Sequence, residues 1–119
     1  MSKRILVVDD SQFMRKRITE SLEAEGYQVV GDAKSGNAAI ELYKQLRPDL
    51  VTMDITMREK DGLTATREIL NYDPEARVIF LTILEDERYR EEAKRIGAKG
   101  FINKKDLKQL AEIVRETMC

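Results

Sequence analysis

The chain has 119 residues, the usual size of one domain and enough to bury a hydrophobic core without disulfides or structural metals. Its 21 basic and 22 acidic residues give a formal net charge of -1, which excludes the strongly basic surface of a general nucleic-acid-binding protein. Histidine is absent, so the chain has no imidazole metal ligand, no imidazole general base and no Ser-His-Asp triad. Carboxylates, hydroxyls and lysines remain for chemistry.

Five short apolar or β-branched runs alternate with five segments of helical spacing. The runs cover residues 5–8, 28–31, 50–53, 78–81 and 101–102. Helical spacing follows at Met14, Ile18 and Leu22; at Ala39, Tyr43 and Leu46; at Thr66, Ile69 and Leu70; at Tyr89, Ala93 and Ile96; and at Leu107, Leu110 and Val114. Gly26 and Gly97 lie where the first and fourth helices should end in left-handed caps.

Five strand-helix pairs predict an α/β fold with a parallel sheet, right-handed crossovers and helices on both faces. The small-domain version is the doubly wound, flavodoxin-like (βα)5 arrangement, with five parallel strands in the order 2-1-3-4-5. Ligands bind such sheets beyond the carboxyl ends of the strands. We expect one domain over residues 1–119.

The chain ends carry two further expectations. The one cysteine, Cys119, is the last residue, so no internal disulfide can form and a reducing cytoplasm is the expected location. No apolar run is long enough to span a membrane, and no charged-then-apolar leader precedes Ile5. We therefore expect a soluble, unprocessed protein without membrane insertion.

Polar side chains stand at the carboxyl ends of four predicted strands. They are Asp9 and Asp10 after the first, Asp54 after the third, Thr82 after the fourth and Lys104 after the fifth. Three carboxylates about 4 Å apart would repel by roughly 1 to 4 kcal/mol per pair unless a cation intervened. An all-oxygen cluster without imidazole suits Mg²⁺, so we predict a magnesium site at this edge of the sheet.

The same cluster favours phosphoryl chemistry. A carboxylate can accept a phosphoryl group as a nucleophile, in a reaction that depends mostly on positioning and charge neutralisation. Asp54 is the predicted acceptor, with Mg²⁺, the Lys104 ammonium and the Thr82 hydroxyl each serving one phosphoryl oxygen. Taken singly, such residues are usually turn, strand or solvated surface residues, but their conjunction at one edge favours a site.

The segments ILVVDDSQFMR, PDLVTMDITM, DGLTA, VIFLT and GAKGFINK resemble successive signatures of the receiver domains of two-component response regulators. The resemblance covers nearly the whole chain, and its first half is closest to stand-alone chemotaxis regulators. It implies a phosphorylation switch that is not an enzyme, with Asp54 phosphorylated by a histidine kinase or a small phosphodonor. It also implies that Asp10, Asp54 and the backbone carbonyl of Thr56 bind Mg²⁺ directly, while Asp9 acts through water.

The resemblance further implies how the switch is transmitted. Thr82 would move toward the phosphoryl group, and Phe101 on the fifth strand would change rotamer with it. The alternative for Phe101 is simple core packing. An output protein would bind the surface of the fourth helix, fifth strand and fifth helix, and the chain would be a monomer or a weak, phosphorylation-dependent dimer.

Three positions depart from the family pattern. Arg58 and Lys105 stand where proline is usual, and Ile83 replaces a small residue. Because a non-proline cis peptide bond costs roughly 2.5 to 4 kcal/mol, we predict a trans bond between Lys104 and Lys105, which could shift the Lys104 ammonium. Ile83 either crowds the phosphoryl pocket and slows exchange there, or packs against the fourth helix. Arg58 faces either the phosphate or the kinase.

The fourth helical segment, residues 86–96, is densely charged. The spacing of Asp86 with Arg90 and of Glu91 with Arg95 predicts ion pairs four residues apart. This surface is either a solvated face or a polar surface for docking a partner.

Other functions fit parts of this sequence pattern. An aspartate-nucleophile phosphatase usually has a second Asp two residues after the nucleophile, where this chain has Thr56, and it carries a lid domain that is missing here. A flavin or nucleotide binder needs a phosphate-binding loop in place of Asp9 and Asp10. The segment GFINKKDL also resembles receivers that precede a DNA-binding domain, so the chain could be one such receiver excised, with no direct nucleic-acid binding of its own.

Overall fold

The computed structural model describes residues 3–118 as five strands and five helices in strict alternation. The elements are β1 (Arg4–Val8), α1 (Gln12–Ala24), β2 (Gln28–Ala33), α2 (Gly36–Leu46), β3 (Leu50–Met53), α3 (Gly62–Tyr72), β4 (Val78–Thr82), α4 (Glu87–Ile96), β5 (Gly100–Asn103) and α5 (Lys108–Met118). All strand pairs are parallel, and the order is β2-β1-β3-β4-β5. The predicted flavodoxin-like fold is confirmed. Cys119 lies outside the described residues.

The continuous apolar runs form the three inner strands. Every residue of β3 and β4 is buried, as are the last four of β1, because helices cover both faces of the sheet. Alternate side chains of these strands enter two separate cores. Leu6, Val8 and Phe80 belong to the core shared with α2, α3 and α4, whereas Ile5 and Val7 belong to the core shared with α1 and α5.

Side-chain caps fix where the helices begin. Ser11, Ser35, Asp61 and Asp86 precede α1 to α4, and each accepts a hydrogen bond from a backbone N–H of the first turn, at 2.9 to 3.2 Å. These caps lie in the loops after β1 to β4. The loops after β1 and β3, which hold the three predicted site aspartates, are therefore anchored at their helical ends.

The helix C-termini follow the prediction only in part. Gly26 and Gly97 have φ of 90° and 103°, which confirms the two left-handed caps. The end of α2 uses Arg47 in the same region, with φ of 46°. The Arg47 guanidinium donates to the Tyr72 hydroxyl at 3.3 Å, a contact that the sequence did not indicate.

The ion pairs predicted four residues apart in α4 are wrong. Asp86 is the N-cap and pairs with Arg88 at 2.7 Å, because it lies before the first helical turn. Arg95 pairs with Glu92, three residues before it, at 2.6 Å. Glu92 also pairs with Arg67 on α3, so tertiary contact with the neighbouring helix fixes its position.

Within residues 3–118, no helix is both long and apolar enough to cross a membrane.

Candidate functional site

Three aspartates converge at the carboxyl edge of the sheet, as predicted. Asp9 and Asp10 follow β1, and Asp54 follows the neighbouring strand β3, so the strand order places them side by side. One carboxylate oxygen of each lies within 4.8 Å of the others. Asp9 and Asp54 are 0% and 3% exposed, whereas Asp10 is exposed to solvent. The cluster therefore has a buried floor and one open side.

Lys104 brings a cation to the buried floor. Its Nζ lies 2.6 Å from Asp9 Oδ2 and 3.1 Å from Asp54 Oδ2, and the Lys104 side chain is 11% exposed. The Lys104 amide donates to the Thr82 carbonyl at 3.0 Å, which fixes the start of the loop after β5. The following peptide bond to Lys105 is trans, as predicted, and the ammonium still reaches both carboxylates.

One ammonium does not balance three carboxylates, and the pKa of Asp54 is shifted accordingly. Burial and the neighbouring Asp9 raise the pKa of Asp54 to about 6, against the opposing effect of Lys104. Burial alone would lower the pKa of Lys104, but the adjacent Asp9 and Asp54 carboxylates raise it above its ordinary value. The carboxylates of the site thus carry an excess of negative charge in a largely desolvated environment.

The fold aims Asp9 through contacts that sequence reasoning missed. The Ser11 amide donates to Asp9 Oδ1 at 2.9 Å, and Arg15 donates to the Asp9 carbonyl at 2.8 Å. Arg15 is itself held by Asp32 at the end of β2, at 2.8 Å. Arg15 is the last residue of the segment ILVVDDSQFMR, but nothing in its local sequence pattern indicated that it contacts the Asp9 backbone.

Gly62 has no side chain, and this allows α3 to begin in close contact with the Asp54 backbone. A Cβ at this first residue of α3 would lie 1.9 Å from the Asp54 carbonyl oxygen, and the Gly62 amide donates to the Ile55 carbonyl at 2.8 Å. Gly36 opens α2 in a similar way, because a Cβ there would lie 2.4 Å from the Lys60 carbonyl oxygen. The loop after β3 is thus packed closely between two helix starts.

Thr82 and Phe101 lie where the sequence placed them, on β4 and β5. Thr82 is fully buried, and its hydroxyl accepts the Leu84 amide at 3.3 Å, which leaves its own proton free to donate. The Phe101 ring is half-buried, with its centroid 6.4 Å from that of Phe80 and 4.7 Å from the Arg90 guanidinium carbon. Phe101 is therefore not solely a core residue; its rotamer change stays a prediction.

The three residues that depart from the family pattern, Arg58, Ile83 and Lys105, are all exposed. Ile83 is 61% exposed, so it is not packed against α4, whereas the next residue, Leu84, is partly buried against the hydrophobic core. Arg58 lines a cavity that also includes Asp10. Thr56, whose backbone carbonyl was predicted as a metal ligand, is exposed two residues after Asp54, and that role stays a prediction.

The sequence pattern of the response regulator receiver domain matches residues 5–115. The chain belongs to this family. Its fold and function are those of the family: a receiver domain of the chemotaxis-regulator type that acts as a signalling switch in two-component systems.

The chain is also similar to individual proteins and solved structures. Protein CcdB of Bacillus subtilis is 54% identical over 101 residues, covering 85% of this chain and 84% of that protein. The chemotaxis protein CheY of Thermotoga maritima is 45% identical over 104 residues, covering 87% of each. Among solved structures, the CheX-CheY-BeF3-Mg²⁺ complex of Borrelia burgdorferi contains a chain with a TM-score of 0.94 and 34% identity, covering 98% of this receiver domain and 90% of that chain.

The donor set of this receiver domain fits a hard divalent cation. All three candidate ligands are carboxylates, and one of them, Asp10, faces solvent, which leaves room for water. Asp9 Oδ2 is buried and has no hydrogen-bond donor in good geometry, its close neighbour being the Lys104 ammonium. Three carboxylates against one ammonium leave two negative charges, which a divalent cation would neutralise.

Gly62→Ala should displace the backbone of Asp54 relative to α3. The new Cβ cannot occupy the space taken by the Asp54 carbonyl, so α3 must withdraw. We expect the free energy of unfolding to fall by about 1 to 3 kcal/mol, measured by urea denaturation, together with slower phosphorylation of Asp54 by a small donor.

Gly26→Ala is the matched control. Its Cβ meets nothing within 4 Å, but its φ of 90° makes alanine unfavourable, so stability should fall by about 1 kcal/mol while phosphorylation is unchanged. If both variants phosphorylate at the wild-type rate, the close approach of Gly62 has no part in positioning Asp54.

Asp54→Asn should stabilise the metal-free protein at pH 7. Because the pKa of Asp54 in the folded protein is about 6, above its ordinary value, ionised Asp54 disfavours folding at pH 7, and protonation below pH 6 removes this effect. We expect a gain of about 1 to 3 kcal/mol at pH 7 that is lost as the pH falls from about 6 toward 4, between the folded and the ordinary pKa of Asp54, measured by denaturation at several pH values. A variant less stable than wild type at pH 7 would contradict this account of the charge excess.

Proposed function

We propose that Asp54 accepts a phosphoryl group from a histidine kinase, with Mg²⁺ held by Asp9, Asp10, Asp54 and the Thr56 carbonyl. The observation that carries this proposal is the Lys104 ammonium lying between the buried Asp9 and Asp54 carboxylates. That arrangement orients one Asp54 oxygen. It also leaves two negative charges beside that oxygen, which a divalent cation would neutralise. The whole chain, residues 1–119, is then one receiver domain.

The residues of the chain divide the work of phosphoryl transfer. An Asp54 oxygen attacks phosphorus, the bond from phosphorus to the donor's leaving atom breaks, and an acyl phosphate forms on Asp54. Mg²⁺, when bound, neutralises charge on the transferring group. Lys104 supplies a compact positive charge to one phosphoryl oxygen, and the free proton of the Thr82 hydroxyl serves another. The chain would catalyse only its own phosphorylation and dephosphorylation. It would therefore be a switch and not an enzyme that acts on other substrates.

The signal would leave through the surface of α4, β5 and α5. Phosphorylation draws the Thr82 hydroxyl toward Asp54, and the Phe101 ring changes rotamer on the neighbouring strand. An output protein that prefers this arrangement shifts the population of states. We propose a stand-alone cytoplasmic regulator of chemotaxis or a relay protein, monomeric or weakly dimeric when phosphorylated, without membrane insertion or direct nucleic-acid binding. The similarity to two chemotaxis proteins, of which this chain covers 87% each, supports the chemotaxis context.

Phosphorylation of Asp54 should be visible by mass. Incubation with Mg²⁺ and acetyl phosphate or phosphoramidate should add about 80 daltons to the intact protein, the mass of one phosphoryl group. The Asp54→Asn variant should show no adduct, and chelation of Mg²⁺ should abolish it in the wild type. An adduct that persists in Asp54→Asn would place the acceptor elsewhere, and no adduct in the wild type would make the chain a phosphate-independent receiver.

Ile83 should lengthen the lifetime of the phosphorylated state. Its exposed side chain follows Thr82 directly, and we expect its apolar bulk to slow the approach of water to the acyl phosphate. Ile83→Ala should dephosphorylate roughly two- to fivefold faster, a change of about 0.4 to 1 kcal/mol in the barrier. The decay of the adduct after donor removal measures it, with Ile83→Val as the conservative control, and equal rates for wild type and Ile83→Ala would refute the idea.

A further inference from the structure

A cavity of about 530 Å³ opens beside the phosphoacceptor, between the loops that follow β1, β2 and β3. Its lining residues are Asp10, Ser11, Lys34, Ser35, Arg58 and Glu59. Asp10 also belongs to the aspartate cluster, so the cavity adjoins the candidate metal site at this residue.

Two cations face this cavity without partners. Lys34 and Arg58 are both exposed, and within residues 3–118 no carboxylate lies within ion-pair distance of either. Arg15, by contrast, is tied to Asp32, and Lys104 to Asp9 and Asp54. The charges of Lys34 and Arg58 are therefore available to a ligand.

The backbone around the cavity adds to the positive potential. Ser11 and Ser35 are the N-caps of α1 and α2, so the positive ends of two helix dipoles meet at its wall. Against these stand the carboxylates of Asp10 and Glu59. A divalent cation on the aspartate cluster would offset Asp10, which leaves Glu59 as the opposing charge within the cavity.

We propose that Lys34 and Arg58 form an anion-steering entrance that makes the receiver select dianionic phosphodonors. This inference rests on the proposed function, and it concerns how the donor reaches Asp54, with no change to the chemistry of transfer. The entrance raises the local concentration of a dianionic donor beside a cluster whose own carboxylates repel it. Arg58 stands where the family usually has proline, so the entrance is a property of this chain.

The test compares two donors of different charge. Near pH 7, acetyl phosphate is a dianion, whereas phosphoramidate is largely a zwitterion with one unit less negative charge. Removing the cations with Arg58→Ala and Lys34→Ala should lower the second-order rate constant with acetyl phosphate by roughly three- to tenfold in the double variant. The rate constant with phosphoramidate should fall by less than about half that factor.

Lys94→Ala and Glu59→Gln are the matched variants. Lys94→Ala removes one positive charge from the last turn of α4, at a residue that does not line the cavity, and should leave both rate constants unchanged. Glu59→Gln removes the opposing carboxylate and should raise the rate constant with acetyl phosphate. The salt dependence should flatten in the double variant, because fewer charges remain to be screened.

Magnesium binding gives an independent readout of opposite sign. The Arg58 cation lines the same cavity as Asp10 and repels a divalent ion there, so Arg58→Ala should bind Mg²⁺ more tightly while reacting more slowly with acetyl phosphate. Isothermal titration calorimetry measures the first effect without any donor. A variant damaged in its fold would instead bind Mg²⁺ more weakly and react more slowly.

The outcomes separate the two proposals. A wild-type protein that forms no adduct with either donor overturns the proposed function and the entrance with it. A wild-type adduct together with equal losses for both donors in the double variant, or losses matched by Lys94→Ala, overturns the entrance alone. A selective loss with acetyl phosphate and tighter Mg²⁺ binding supports it.

Discussion

The ion pair of Lys104 with Asp9 and Asp54 is the contact on which the rest of the site depends. It places a cation 2.6 Å and 3.1 Å from two carboxylates that are almost wholly removed from water. Without that ammonium, two buried negative charges would face each other in a medium of low dielectric constant, at a cost of several kcal/mol. With it, they stay close enough to serve a common ligand.

The parallel sheet makes this arrangement attainable. Each site residue comes at the end of its own strand, so register between neighbouring strands sets the distances between residues far apart in sequence. The helix caps then hold the loops, and Gly62 lets α3 start in contact with the Asp54 carbonyl. The burial that makes the site reactive and the packing that makes it rigid have the same origin.

Much of this could be predicted from the sequence because it depends on local patterns. Continuous apolar runs identify strands covered on both faces, and the alternation with helices sets their order, so the convergence of Asp9, Asp54 and Lys104 follows from the positions where strands end. The trans bond after Lys104 follows from the absence of proline. Each of these inferences needs only sequence spacing and a general rule of geometry.

The rest depends on tertiary contacts that no local pattern encodes. Glu92 pairs with Arg95 because Arg67 of another helix fixes it, and Arg15 reaches Asp9 while Asp32 of β2 holds it. Lys34 and Arg58 share a cavity only because two loops, separated by a helix and a strand, fold toward each other.

The bond from the Leu84 amide to the Thr82 hydroxyl has a consequence for how such a switch is biased. If Thr82 turns toward a phosphoryl group, its hydroxyl gives up the hydrogen bond that it accepts from the Leu84 amide and donates one to a phosphoryl oxygen, so the Leu84 amide must find a new acceptor. The bond that is lost contributes about 0.5 to 1.5 kcal/mol net, whereas a bond to a charged phosphoryl oxygen contributes about 1.5 to 3 kcal/mol, so the exchange is favoured by only about 1 kcal/mol. A substitution elsewhere in the loop that changes the free energy by a similar amount can therefore alter the balance between the two arrangements of the phosphorylated protein.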